Sequence, residues 1–419
     1  MYQLAKELFP ICRSITGDGV RQTLQRLKKE YPGLQIIEVP SGTRVFDWTV
    51  PKEWNINEAY IEGSDGRRIV DFHENNLHVV GYSLPLDCYI PLHELTKMIY
   101  TLPGQPDVIP YVTSYYKERS GFCMSEHQKE TLADDMYHCV IDSELKDGSL
   151  TYGEIILKGD TEKEILLSTY VCHPSMANNE ISGPVVAIEL VKWLASLERR
   201  RYTYRIIFIP ETIGSITYLS FNLDVMKKNV VAGFVLSCVG DNRTYSYVES
   251  KYANTLSDKV LQSVLKYYYP EYKRYSYLCR GSDERQYNAP GVDLPVCAVC
   301  RSKYGEYPEY HTSADNMELI SEEGLQGSFE LMKSCIKALE HNYNYKVFCL
   351  CEPQFGKRGL YPDISKKGSS AVVRTMSDFV AYADGRNDLI QISELIGAPI
   401  DELIPIVDML LENKLIEKL

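Results

Sequence analysis

The chain is 419 residues long, which fits two to three domains and excludes a single small module. With 44% apolar and 24% charged residues, it has the composition of a folded globular protein and not of a disordered one. Its 45 basic and 57 acidic side chains leave a net charge of −12, a field that repels phosphate backbones and anionic membranes, so neither nucleic acid nor membrane is an expected partner.

The twelve cysteines are scattered, with no second pair or histidine at zinc-finger spacing, and read as reduced thiols. No stretch is apolar enough for a membrane span, and the first residues lack a basic run feeding an apolar one, so the cytoplasm is the expected compartment.

Residues 1–45 read as an amphipathic helix, a turn at Gly17, Asp18 and Gly19, a second helix over 20–30 and a strand over 34–39. The character changes over 46–115, where segments 68–72 and 77–82 read as a hairpin joined across His73 to Asn76. From about 120 to 345 continuous apolar strands alternate with helices: 164–170, 204–209, 231–238 and 296–300. Such runs suit a mainly parallel sheet covered by helices on both faces, with the site at the carboxyl ends of its strands. A Gly/Pro/Lys-rich linker over 353–368 leads to a helix near 371–383, a short helix from 393, a turn at 397–399 and a longer helix over 401–413, the order of a winged helix-turn-helix.

Polar residues collect at four of these strand ends. His173 leaves the first strand, and Glu180 follows in the loop that opens the next helix, where Pro184 sits in the first turn. Glu211 is delivered straight from the apolar strand 206–209, where partial desolvation would raise its pKa into a general base's range. Asp241 follows the third strand as a ligand, a supporting carboxylate or a turn residue. The segment from Tyr304 to Asp315 contributes His311, with Tyr310 beside it. Asp283, Glu284 and Arg285 add charge that a structural ion pair explains equally well. The markers of serine hydrolases, P-loop proteins and dinucleotide enzymes are absent.

The order of a strand-end His, N-x-x-S-G at a helix start, strand-Pro-Glu-x-x-Gly-Ser, Ser-Asp and Tyr-His-Thr-Ser-x-Asp resembles the M28-type zinc aminopeptidases; these motifs lie in the runs CHPSMANNEISGP, PETIGSITYL, GSDERQY and YGEYPEYHTSADN, with LFPICRSITGDGVRQTL and VPSGTRVFDWTVPKEWNI upstream. More closely, they resemble a bacterial aminopeptidase-like family linked with polysaccharide biosynthesis. The resemblance covers essentially the whole chain. It implies a catalytic domain over 1–45 and 116–350, an inserted β-rich domain over 46–115, and a linker and winged helix over 351–419.

By position, His173 matches the first zinc histidine, Glu211 the general base and His311 the last zinc histidine. The chain departs from the pattern at Asn179, Thr212 and Ser237, where M28 enzymes carry carboxylate ligands. Two cations need that charge. The expected cofactor is therefore one Zn²⁺ per chain, held by His173, His311 and Glu180. Tyr304 or Tyr310 would stabilise the oxyanion, Asp283 or Glu284 would receive a substrate α-ammonium, and Asn179 and Asp241 would support the ligands. The expected activity is a zinc-dependent aminopeptidase or related amide hydrolase on a small peptide or amide-bearing substrate. A degenerate peptidase fold serving as a binding or scaffold protein is the alternative. The sequence is compatible with a homo-oligomer, and the acidic residues at 401, 402, 408 and 412 argue against DNA reading.

Overall fold

The computed structural model describes residues 1–115, 117–360 and 369–419, so the second half of the expected linker, 361–368, lies outside the described residues. The chain forms two compact units, Met1–Ala253 with Lys273–Phe329, and Asn254–Tyr272 with Glu330–Leu419.

An eight-stranded sheet organises the first unit. Its order is Gln35–Pro40, Ser149–Leu157, Thr203–Ile209, Glu164–Tyr170, Val230–Leu236, Val296–Cys300, Ser246–Val248 and Lys273–Tyr275. The four central strands run parallel, and every residue of Glu164–Tyr170, Thr203–Ile209 and Val296–Cys300 is buried. That double-sided burial is why they read as continuous apolar runs. Antiparallel pairing is confined to the flanks.

Helix Ser182–Ser196 packs so closely on this sheet that a Cβ at Gly183 would meet Thr169 Oγ1 at 2.2 Å and the Leu236 carbonyl oxygen at 2.5 Å. Only glycine permits that approach.

A second, antiparallel sheet has the order Arg68–Asp71, Glu53–Glu62, Met136–Lys146 and Leu86–Pro91. The β-rich region expected over 46–115 thus takes one of its two inner strands from beyond that boundary. The expected hairpin does not form. Arg68–Asp71 pairs with Glu53–Glu62, and Asn76–His78 is a short helical turn that Asn75 caps by accepting from Leu77 N at 3.0 Å. An asparagine satisfying the backbone locally removes the need for a ladder partner. Arg21 on helix Asp18–Glu30 reaches this sheet through Glu53, with Nη1 to Oε1 at 2.9 Å.

In the second unit a three-stranded sheet, Asp384–Asp388, Asn344–Val347 and Ile416–Lys418, accompanies helices Ser369–Tyr382, Leu389–Ile396 and Ile400–Glu412. Asp388 opens the middle helix with a capping box, accepting from Gln391 N at 2.8 Å, and Gly397 at φ 68° closes it. This is a winged helix. Strand Asn344–Val347 and helix Leu256–Tyr268 belong to the same unit, ahead of the expected start at 351, and Tyr267 Oη donates to the Ser393 carbonyl at 3.3 Å.

Candidate active site

Adjacent parallel strands end side by side, so the residues that follow them meet over one edge of the sheet. There they line a cleft of about 370 Å³, bounded by His173, His311, Glu211, Thr212, Arg285 and Cys172 together with Ile15, Trp48, Tyr111, Thr113, Tyr115 and Ile213. The sequence-derived residues His173, Glu211 and His311 converge in it.

His173 is fixed on both sides. Its carbonyl accepts from Arg13 Nε at 2.9 Å, its Nδ1 lies 3.0 Å from Glu180 Oε2, and its Nε2 lies 3.9 Å from Glu211 Oε2. Glu180 therefore grips the nitrogen remote from Glu211. It sits in a buried π-helical turn, Ala177–Ile181, with Oε1 also 3.3 Å from Arg13 Nε. Desolvation raises the Glu180 carboxyl to about 8, against the pull of Arg13. Desolvation, helped by Arg13, lowers His173 to about 3, so its ring is neutral.

His311 has φ 57°, a strained backbone for a residue other than glycine, and stacks on Tyr310 at 3.9 Å between ring centroids. Its centroid is 5.3 Å from that of His173. Tyr111 packs edge-on against His311, and its N–H donates to the His311 carbonyl at 2.9 Å. Desolvation and the neighbouring His173 lower this imidazole too to about 3. His311 Nε2 is buried without a hydrogen-bond partner.

Glu211 follows its strand as expected, and desolvation first, then the nearby Asp283, raises its carboxyl pKa. Thr212 beside it adopts φ 64° and ψ −77°, costly for a β-branched residue. Asp283 pins it, with Oδ1 accepting from Thr212 N and from Ser215 Oγ, both at 2.8 Å. Thr212 Oγ1 accepts a hydrogen bond from the Arg285 guanidinium.

Other expected site residues are occupied elsewhere. Glu284 Oε1 accepts from Gly281 N at 2.8 Å, Ser282 N at 3.2 Å and Tyr304 Oη at 2.6 Å, so Tyr304 is buried against a carboxylate and does not line the cleft. Asp241 is saturated, accepting from Asn178 Nδ2, Ser302 N, Ser302 Oγ and Arg243 N at 2.9–3.0 Å. It serves as a structural brace. Asn179 Oδ1 accepts from Tyr170 Oη at 2.8 Å, and the same hydroxyl lies 2.6 Å from Ser237 Oγ. Two of the three positions at which the chain departs from the M28 pattern are thereby tied together by a phenol.

Arg13, Tyr111, Tyr115 and Tyr170 escaped the sequence reading. None was given a role there, although Arg13 lies in the run LFPICRSITGDGVRQTL, and Arg13 meets His173 across 160 residues of chain.

Two neutral imidazoles and an unpartnered, buried His311 Nε2 are the donor chemistry of a zinc site. Among the described residues the clustered candidate ligand atoms are those of Cys172, His173 and Glu180, within 4.8 Å of one another, and His311 is not one of them. The Arg13 guanidinium against Glu180 disfavours a cation at that cluster.

Sheet, cleft and strand-end histidines define an aminopeptidase-like fold of the M28 type. A zinc aminopeptidase from Bacillus subtilis superposes with a TM-score of 0.59 at 14% identity, covering 81% of this chain and 94% of that one. An M28 peptidase precursor from Shewanella amazonensis gives 0.54 at 11% identity, covering 79% and 90%.

Residues 2–342 match the model of a family described as a domain of unknown function, DUF4910, and residues 343–418 match a winged helix-turn-helix model. The chain belongs to the DUF4910 family. A Clostridium acetobutylicum protein, named as a candidate polysaccharide biosynthesis protein with an aminopeptidase-like domain, is 47% identical over 396 residues, 94% of this chain and 90% of that one. A crystal structure of a candidate peptidase from the same organism has a TM-score of 0.94 at 44% identity, covering 100% of this chain and 96% of that one. Among the described residues no helix is long and apolar enough to cross a membrane.

Proposed function

We propose that the chain is a single-zinc amide hydrolase acting on a small peptide or amide-bearing substrate. The observation that carries this reading is the pair of neutral imidazoles beside the Glu211 carboxyl, 3.9 Å from His173 Nε2. His173, through Nε2, and His311 would hold the ion. A zinc ion so bound acidifies a water and polarises a carbonyl.

The chain's own groups supply the rest. Glu211, its pKa raised by burial, accepts the proton of the attacking water and returns it to the leaving nitrogen. Glu180 fixes the tautomer and orientation of His173 through Nδ1. Tyr111 and Tyr115, whose hydroxyls lie 2.8 Å apart, line the cleft and take the oxyanion-donor role that Tyr304 is too committed to fill.

Metal analysis of the purified protein, with turnover on a panel of small amides, tests the proposal. One zinc per chain with hydrolysis that requires Glu211 supports it. Absence of bound zinc in zinc-supplemented protein would favour the scaffold reading, for which the residues at 179, 212 and 237 speak.

A further inference from the structure

We infer that Arg285 makes the cleft a receptor for a substrate carboxylate, so that the amide cleaved belongs to an acidic molecule. The second clause rests on the hydrolase reading; the receptor itself rests on geometry alone.

Arg285 is the cation among the cleft's lining residues, and Glu211 is the carboxylate. The guanidinium gives one side-chain hydrogen bond, to Thr212 Oγ1, and Nε is buried with no partner. Among the described residues no carboxylate pairs with it. Its charge is felt by Glu211 and Asp283 without an ion pair to either, and an arginine so placed keeps its charge and its remaining guanidinium donors for whatever enters.

The surrounding backbone is built to hold it there. Thr212 bears its strained φ of 64° under the grip of Asp283, and the result is a hydroxyl aimed at Arg285. The M28 pattern has an anionic metal ligand at this position; here a neutral hydroxyl meets a permanent cation.

The alternative, an α-ammonium receptor, has lost its groups. Asp283 and Glu284 are fully buried and do not line the cleft; Asp283 Oδ1 is held by Thr212 and Ser215 and Glu284 Oε1 by Gly281, Ser282 and Tyr304, while Asp283 Oδ2 and Glu284 Oε2 are enclosed without a partner. An incoming ammonium would face Arg285 instead. A monoanion suits the site better than a phosphate dianion, because one guanidinium in a cleft that also holds the Glu211 carboxyl leaves a second negative charge uncompensated.

The test uses full-length protein stripped of metal, titrated calorimetrically with N-acetylglycylglycine and with its C-terminal amide. The native protein should prefer the carboxylate by at least about tenfold, the worth of one charge-assisted hydrogen bond. Arg285→Gln should erase that preference, Arg285→Lys should keep part of it, and Thr212→Val should weaken it by freeing the guanidinium. Each variant is used once its circular dichroism matches the native protein. Equal affinity for both probes, no binding of the carboxylate probe at millimolar concentration, or a preference that survives in Arg285→Gln would each overturn the inference. Discrimination between the probes by a protein that hydrolyses no amide would retire the hydrolase reading and leave the carboxylate receptor standing.

Discussion

Glu180 holds Nδ1 of His173 at 3.0 Å and leaves Nε2 facing Glu211 and the cleft. In its ionised form a carboxyl in that position orients an imidazole ligand and raises its basicity without touching the ion. Glu180→Gln should therefore weaken zinc affinity by about 10- to 100-fold, whereas His173→Ala or His311→Ala should abolish it. Competition with a chromophoric chelator measures the difference. Equal, complete loss in all three would make Glu180 a direct ligand.

Glu211 is the carboxylate that lines the cleft. Its replacement by glutamine keeps shape and hydrogen-bonding capacity but cannot take a proton. Turnover should fall by at least about 10²-fold, with folding retained and the two imidazoles still binding zinc. Unchanged turnover on an established substrate would assign the base elsewhere.

His173, Glu211 and His311 were legible because each follows a strand or lies in a strand-end loop, and parallel topology brings such places together. What each atom faces was not legible. Glu180 stands seven residues after His173, which is compatible with sharing an ion or with gripping the far nitrogen, and Arg13, remote in sequence, decides between them. Tyr170 reads as the apolar end of a strand, yet its hydroxyl reorganises Asn179 and Ser237. In the fold, strand Met136–Lys146 alternates inward and outward residues, with the polar Asp142 and Glu144 at exposed outward positions that continue the alternation. The packing that makes it an inner strand of its sheet is long-range.

Glu53 links helix Asp18–Glu30 to the antiparallel sheet. Burial alone would raise its carboxyl, but Arg21, the Ser149 N–H and Asn55 outweigh that and bring it down to about 2. A depressed carboxylate contributes stability above its unfolded pKa of about 4.5 and loses it as pH falls towards 2. Glu53→Gln should lower the urea midpoint at pH 7, and the gap from the native protein should close on acidification through that window. A gap unchanged at low pH would show that the loss comes from packing alone.

Helix Ile400–Glu412 occupies the recognition-helix position of the winged helix. It has no basic residue, and Glu402, Asp408 and Glu412 are exposed on it. A major-groove reader neutralises phosphates, and this face repels them. No salt-sensitive mobility shift should appear with duplex DNA at micromolar protein. A shift that weakens steeply with added salt would give the module a nucleic acid partner.

The stoichiometry of zinc tests the site as a whole. At Asn179 and Ser237, where a second cation needs carboxylates, the Tyr170 hydroxyl bonds both side chains, and at Thr212 the hydroxyl faces Arg285. Restoring one carboxylate leaves the guanidinium in place, and a second cation would still meet its repulsion. The native protein should bind close to one zinc, and Asn179→Asp should still bind close to one. Asn179→Asp combined with Thr212→Glu and Arg285→Gln removes the resident cation and adds two anionic ligands, and should raise the count towards two. Elemental analysis after dialysis against zinc-free buffer reads all three proteins. Two equivalents in the native protein would mean that the Tyr170 hydroxyl yields to a metal, and that the neutral residues at 179, 212 and 237 do not limit occupancy.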